Sequence, residues 1–383
     1  MRIKVAHVVT RLDLGGAQQN TLATVRGLDP ARFDALLVCG EGGFFDAEVR
    51  ADRGVRAVFL DSLVREVSPL RDLLAALELR RLFLDERPDV VHTHSSKAGI
   101  LGRLAAALAG VPGVVHTYHG FGFHDRQSAA VKGFYVLLER LCARLTTRLV
   151  FVSRANLEYA ERHGIGRGAD AAVIRSGVRL SEFPAAVDAA KLKASAGIGV
   201  HKPLVVSIGN LKPQKNAADF VAAAAKVAAR VPDARFVFLG DGPQRGALEA
   251  KAFSLGLDGT LSFLGWRRDG AQWLAAADAF ALTSLWEGLP RALVEAMKSG
   301  LPAVCYATDG VVDVLRDGEN GFLVPPGDAD ALAERLVRLL TDEPLRRRLG
   351  AAAAASIGPE FDVDAMVRAQ EDLYARLLAR RRG

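Results

Sequence analysis

Two doubly wound α/β domains joined by a short irregular segment are the fold this sequence predicts. Three observations predict it. Short β-branched runs alternate with longer helical patterns, at the spacing of parallel strands and their crossover helices. The alternation lapses near residues 180–200 and restarts at Pro203. The chain has 383 residues, too many for one typical domain and enough for two.

In the first half the strand-like runs are residues 3–9, 33–38, 90–93, 114–117, 149–152 and 172–174. Helical patterns fall between them, over residues 17–28, 70–84 and 97–109. The lapse contains Pro184, Gly197 and Gly199 and few strand formers. The second half repeats the pattern, with strands over 204–208, 235–239, 261–264, 279–282 and 303–305. This spacing predicts domains over 1–190 and 191–360, with a C-terminal helix, 361–383, that packs back on the first domain. No internal sequence repeat is evident.

Composition narrows the class. Half the residues are hydrophobic and a quarter charged, the balance of a globular protein. Cys39, Cys142 and Cys305 lie far apart and form no C-x-x-C pair, so each reads as a small buried hydrophobe in a reducing cytosol. Residues 1–9 read as a strand with Lys4 inside it, without the head, apolar run and cleavage site of a signal peptide. No uncharged apolar stretch reaches the roughly 20 residues a spanning helix needs. Residues 1–195 carry 27 Lys and Arg against 21 Asp and Glu, and the rest carry 23 of each. The positive excess suits an anionic partner of the first half, or is ordinary arginine usage.

Three strand-to-helix turns carry the chemistry. Leu14-Gly15-Gly16-Ala17-Gln18 follows the first strand and opens a helix, where glycine lets a backbone approach an anion. It is not G-x-G-x-x-G, so the dinucleotide fingerprint is absent. Gly209-Asn210-Leu211-Lys212-Pro213-Gln214-Lys215 opens the second domain. Its lysines either neutralise a diphosphate or are solvated loop charges, and it is not a P-loop. The third turn, Ser284-Leu285-Trp286-Glu287-Gly288-Leu289-Pro290, runs into a helix containing Glu295. It offers a carboxylate and the N–H groups of Gly288 and Leu289 to a polyhydroxylated ligand with an anionic end. The alternative makes Glu287 a helix-dipole partner and Glu295 a solvated charge.

The spacing Glu287-x7-Glu295 within S-x-x-E-G-x-P-x-x-x-x-E-A-M resembles the signature of family 4 glycosyltransferases, which have the GT-B fold of two Rossmann-like domains facing each other across a cleft. Gly15-Gly16-Ala17, His92-Thr93-His94, His116 to Phe121, Ser176-Gly177-Val178, Gly240-Asp241-Gly242-Pro243 and Asn320-Gly321-Phe322-Leu323 resemble the family's other elements, in family order. The run from Thr117 to His124 is similar to capsule and exopolysaccharide enzymes. One departure stands out: Asn210 occupies the place of a usual arginine, which leaves Lys212 and Lys215 to meet the donor diphosphate.

The resemblance implies a retaining transfer of sugar from a nucleotide-sugar, with UDP favoured, to a glycan or lipid-linked acceptor in cell-surface polysaccharide synthesis. It implies an acceptor-binding first domain and a donor-binding second one. Glu295 would hold the ribose hydroxyls. Glu287, Gly288 and Leu289 would hold the donor sugar, and Lys215, Lys212, Asn210 and Gly16 would face the diphosphate. His119 would sit by the reacting sugar, with Glu287 its catalytic companion, and His94 and Phe121 on the acceptor side. No metal or other cofactor is expected, because Asp328-Ala329-Asp330 and Asp362-Val363-Asp364 read as helix starts and not as metal-binding D-x-D turns. A nucleotide-sugar 2-epimerase and a non-catalytic nucleotide-sugar-binding subunit are the alternatives.

No nucleic-acid partner is expected. An anionic membrane surface is, with the protein cytoplasmic and peripheral on the inner face of the plasma membrane. Residues 127–148 read as one helix bearing Phe134, Tyr135, Leu137, Leu138 and Leu141, with Arg140, Arg144 and Arg148 on one side. Either that helix docks on lipid, or its apolar stripe is core and its arginines are a solvated face.

Overall fold

The computed structural model describes residues 2–166 and 170–382. The chain divides into two units, Met1–Gly177 with Val363–Gly383, and Val178–Asp362. The expected boundary at 190/191 therefore moves to 177/178. The reason is local pairing: the Val178 amide donates to the Phe361 carbonyl at 2.8 Å, and the Leu180 amide to Asp362 Oδ2 at 3.3 Å. Those bonds tie the segment after Gly177 to the second unit.

The first unit holds a seven-stranded parallel sheet. Its strands are β1 (Ile3–Arg11), β2 (Phe33–Gly40), β3 (Arg56–Phe59), β4 (Val90–His94), β5 (Gly113–Tyr118), β6 (Arg148–Phe151) and β7 (Asp170–Val173), in the order β3-β2-β1-β4-β5-β6-β7. The helices between them are α1 (Gly16–Gly27), α2 (Asp46–Ala51), α3 (Pro69–Glu86), α4 (Ser96–Leu108), α5 (Ala129–Arg144) and α6 (Arg154–Arg162). β4 is buried along its whole length and β1 over Val5–Thr10, so both faces of these strands are covered, and polar His7, His92, Thr93 and His94 are enclosed with the valines. The short edge strand β3 is not among the expected strands, because its run of four residues is short and partly exposed.

The second unit starts with α7 (Ala189–Ser195) and holds β8 (Leu204–Ile208), β9 (Arg235–Leu239), β10 (Leu261–Phe263), β11 (Ala279–Leu282), β12 (Ala303–Tyr306) and β13 (Gly321–Val324). The order is β10-β9-β8-β11-β12-β13, all parallel. Its helices are α8 (Ala217–Arg230), α9 (Arg245–Ser254), α10 (Gly270–Ala275), α11 (Arg291–Lys298), α12 (Ala329–Thr341) and α13 (Glu343–Ser356).

The last helix, α14 (Val363–Arg382), returns to the first sheet. Val367, Leu373, Tyr374 and Leu377 pack there with Val5, Phe33 and Val90. Burying each large side chain gains roughly 1.5–3 kcal/mol, enough to fix a helix far away in sequence. Both sheets reverse their strand order once, between β1 and β4 and between β8 and β11. At such a reversal the loops after the two strands diverge and leave a crevice at their carboxyl ends.

Two expectations for the 127–148 region change. The helix ends at Arg144, so Arg148 is not on it; Arg148 opens β6 and pairs with Asp170. The apolar stripe is core only in part: Tyr135 packs against the core and Leu138 is half-buried. Phe134, Leu137 and Leu141 are 58%, 54% and 47% exposed.

Candidate active site

In the second unit, the predicted residues gather at the carboxyl ends of β8 and β11, where the strand order reverses. Glu287 is buried and ion-pairs with Lys215. The two loops are stitched by hydrogen bonds to backbone. The Leu285 amide donates to the Gln214 carbonyl at 2.8 Å, Gln214 Nε2 to the Trp286 carbonyl at 2.8 Å, and Thr283 Oγ1 to the Lys215 carbonyl at 2.9 Å. The lysine is thus part of the turn's construction and not a solvated charge.

Close backbone packing shapes the same corner. Gly240 has φ +142°, and a Cβ there would lie 1.8 Å from the Gly209 carbonyl oxygen. The Gly240-Asp241-Gly242-Pro243 turn therefore lies directly on the Gly209-Asn210 turn, and the Leu211 amide donates to the Asp241 carbonyl at 2.9 Å. Asn210 and Lys212 are half-buried beside it. Gly310 does for the third turn what Gly240 does for the second: a Cβ on it would lie 1.8 Å from the Gly288 carbonyl oxygen.

Glu295 lies in the second turn of α11, the helix that follows Pro290. It is partly buried, with Arg291 3.7 Å away. Burial pushes its carboxyl above the usual glutamate range, Arg291 pulls it back, and Glu182 adds to the rise. Burial also lowers the Arg291 guanidinium, against the pull of Glu295. A half-desolvated carboxylate with a distant partner is poised to accept hydrogen bonds from a ligand.

In the first unit, Gly16 begins α1 directly after extended Gly15. His119 follows β5 and is joined to His94, Nε2 to Nδ1, at 3.1 Å. His94 was expected on the acceptor side. It is buried, and its other nitrogen meets His7 Nδ1 at 3.1 Å, so its ring holds neighbouring histidines instead of a ligand. Phe121 packs among Tyr118, Phe123 and Tyr159, with centroids 5.0–5.2 Å away.

His7, His92 and His94 bring ring nitrogens within 4.8 Å of one another, close enough to suggest a metal. Hydrogen bonds account for the cluster otherwise. His92 contacts Tyr374 Oη at 2.6 Å and Thr117 Oγ1 at 2.7 Å, so both its nitrogens are engaged. The two D-x-D sequences are helix starts: Asp328 Oδ1 accepts from the Ala331 amide at 2.8 Å, and Asp362 precedes α14.

Comparison with known proteins follows the same division. Residues 15–177 match the family described as Glycosyl transferase 4-like domain, and residues 188–356 match Glycosyl transferases group 1. The UDP-Gal:alpha-D-GlcNAc-diphosphoundecaprenol alpha-1,3-galactosyltransferase of Escherichia coli is 36% identical over 97% of this chain and 97% of its own. This chain is a family 4 glycosyltransferase. A lipopolysaccharide core biosynthesis glycosyltransferase, LpsE of Rhizobium meliloti (strain 1021), is 34% identical over 51% of this chain and 54% of its own. Among solved structures, Anabaena HepE in complex with UDP and glucose aligns with TM-score 0.83 and 23% identity, covering 98% of this chain and all of that one. Sucrose-phosphate synthase from Thermosynechococcus elongatus aligns with TM-score 0.87 and 21% identity, covering 99% and all. Both share the GT-B fold of the glycosyltransferase.

Two features of the glycosyltransferase escape a motif reading. Asp309, at φ +29°, accepts the Glu287 amide on Oδ2 at 2.8 Å and so fixes the carboxylate's backbone. The Asp309-Gly310 dipeptide is its one local signal, and it reads only as a turn. His7 sits in the middle of β1 with no sequence pattern to mark it.

Proposed function

We propose that this glycosyltransferase moves a hexose from a UDP-sugar, with retention of configuration, to a lipid-linked glycan acceptor, and that it needs no metal. The observation that carries the reading is the Lys215–Glu287 pair at the strand reversal of the second sheet, with Glu295 on the helix behind it. The Escherichia coli relative, named for UDP-Gal and a diphosphoundecaprenol-linked GlcNAc, supports a UDP-hexose donor and a lipid diphosphate acceptor, with galactose the first sugar to test.

In this reading Glu295 accepts hydrogen bonds from the ribose hydroxyls. Glu287 and the Gly288 and Leu289 amides orient the sugar. Lys215, Lys212, Asn210 and the Gly16 backbone meet the diphosphate, His119 lies by the reacting carbon, and Phe121 lies toward the acceptor. The bond from the anomeric carbon to the diphosphate breaks through an oxocarbenium-like state, and the bond to the acceptor oxygen forms on the same face. The acceptor's proton passes to the departing diphosphate, whose charge the lysines and amide dipoles stabilise.

The deciding experiment incubates the purified chain with UDP-galactose, UDP-glucose or UDP-N-acetylglucosamine and a synthetic lipid-diphosphate sugar. An axial linkage by NMR is expected. Epimerised donor without transfer would replace the reading by the epimerase one, and binding without turnover by a non-catalytic subunit. Turnover is expected to persist in EDTA; loss restored by magnesium or manganese would overturn the charge account built on Lys212 and Lys215.

Glu295→Ala is expected to weaken UDP binding roughly 10- to 100-fold, the loss of one or two charge-assisted hydrogen bonds. Because the raised carboxyl must be ionised to accept them, UDP affinity in the wild type falls on acidification, starting above the ordinary glutamate value of 4.5. Calorimetry across pH checks this; the same pH dependence in Glu295→Gln would remove Glu295 from the ribose.

Membrane docking belongs to the same proposal. α3 packs on α4 and α4 on α5. This layer exposes Leu70, Leu73 and Leu77, Leu104 and Leu108, and Phe134, Leu137 and Leu141, and exposed apolar side chains rimmed by polar ones mark interaction surfaces. Arg140 and Arg144 are exposed on α5. Each such cation contributes on the order of 1 kcal/mol near an anionic surface. Flotation with phosphatidylglycerol vesicles should recover the protein, and Phe134→Ser with Leu137→Ser should release it. Equal recovery on neutral vesicles, or no loss in Arg140→Glu with Arg144→Glu, would sink the idea.

A further inference from the structure

Arg291 opens α11 and is largely enclosed, with 18% of its side chain exposed. Its one ion pair is with Glu295, whose Oε1 lies 3.7 Å from Nη2, beyond hydrogen-bond length. Among the described residues neither side chain makes a hydrogen bond. A guanidinium carries five N–H donors and a carboxylate four acceptor sites. Enclosed charges with so much unused capacity are costly unless something else meets them. Burial disfavours the guanidinium's charge, and Glu295, then Glu182, act against that.

The order of groups along the turn and helix says what could meet them. The proposed function sets the donor sugar on Glu287 and the Gly288 and Leu289 amides, and the ribose on Glu295. In a nucleotide-sugar the diphosphate joins those two parts. Arg291 stands between their holders, just after Leu289 and four residues before Glu295. Residues four apart share one side of a helix, so Arg291 and Glu295 face the same ligand. Of the Arg291 nitrogens only Nε is enclosed without a partner, which leaves the two Nη groups at the tip to reach it.

The charge of the neighbouring turn makes room for such a group. Asn210 is neutral where the family resemblance has an arginine, and Lys215 is already paired with Glu287. A departing diphosphate needs more positive charge than that pair supplies. An arginine fork matches two phosphate oxygens at once, which a lysine cannot do.

We propose that Arg291 is a donor-binding residue whose Nη groups hold the diphosphate beside the ribose, in the role that Asn210 cannot fill. The inference rests on the reading of Glu295 as the ribose group, and it adds a cation that the sequence motif does not assign. On binding, Glu295 gains the ribose hydroxyls as Arg291 turns to the phosphates, so neither enclosed charge is left alone.

NMR titration of the full chain reads millimolar as well as tight binding and can compare UDP with uridine, which lacks the phosphates. Arg291→Gln should weaken UDP by roughly 10- to 100-fold and leave uridine nearly unchanged. Arg291→Lys keeps a charge and loses the fork, so it should show the same selectivity with a smaller loss. That variant decides the matter should Arg291→Gln not fold. Equal losses for UDP and uridine would make Arg291 a support for Glu295 alone and overturn the proposal. An Arg291→Gln that binds UDP as the wild type does would overturn it as well. If Glu295→Ala spares uridine while Arg291→Gln still loses UDP selectively, Arg291 stands on the phosphates, and the ribose reading of Glu295 is what fails.

Discussion

Glu287→Ala should lower kcat by roughly 10²–10³-fold while leaving the donor KM within a few-fold. The carboxylate is buried, ion-paired to Lys215 and set on a backbone that Asp309 fixes. Its place is therefore decided in advance of any ligand, and a group held in this way contributes in the transition state without further ordering cost. Truncation also releases Lys215, which keeps a diphosphate partner in the complex, so ground-state binding suffers less than turnover. Steady-state kinetics on a variant with wild-type circular dichroism checks this. A folded Glu287→Ala with kcat within twofold of wild type would withdraw the central assignment.

Arg103→Met should destabilise the first unit by about 3–5 kcal/mol, the usual cost of leaving one member of a buried ion pair alone. Arg103 is fully enclosed. Its Nη2 donates to Glu139 Oε2 at 2.7 Å and its Nε to the Gly99 carbonyl at 2.7 Å. Tyr118 Oη donates to the same Glu139 oxygen at 2.7 Å. Burial alone would lower the guanidinium's pKa, but Glu139, with Tyr118 and Cys142, raises it above its ordinary value. The guanidinium therefore stays charged, and its bonds join α4, β5 and α5. Arg103→Met combined with Glu139→Leu should recover much of the loss, since no buried charge is then left unpaired. Urea unfolding followed by a probe in the first unit measures both. A double mutant as unstable as the sum of the singles would show that the pair does not act as a unit.

Much of the second-unit site is legible in the amino-acid order. Glu287 and Glu295 lie eight residues apart on one turn and its helix, and the Gly209 to Lys215 turn is equally local. Spacing and turn chemistry are properties of neighbours in sequence, and the strands at 204–208, 235–239 and 279–282 follow from the same ground. Spacing does not give the partner of each charge. Lys215 reaches Glu287 across 72 residues, and a lysine destined for an ion pair looks no different in sequence from a solvated one.

The first unit shows the opposite balance. The periodicity of residues 127–148 marks a helix with an apolar stripe, but a stripe has the same spacing whether protein, lipid or water covers it. Only the packing of α3, α4 and α5 on the sheet leaves Phe134, Leu137 and Leu141 uncovered. The domain boundary near Gly177 likewise comes from bonds such as Leu180 to Asp362, across 182 residues, and the landing place of α14 from bonds such as His92 to Tyr374, across 282, and Asp29 to Glu371, across 342. The histidine cluster has the same origin. His7 and His94 stand 87 residues apart and meet only because β1 pairs with β4 in a register that sets His7 beside His92 and within reach of His94. The elements and the local turns are written in the amino-acid order, because propensity and periodicity act over a few residues. Burial, charge partners and ring contacts arise only on folding, because each depends on which distant strand lies next door.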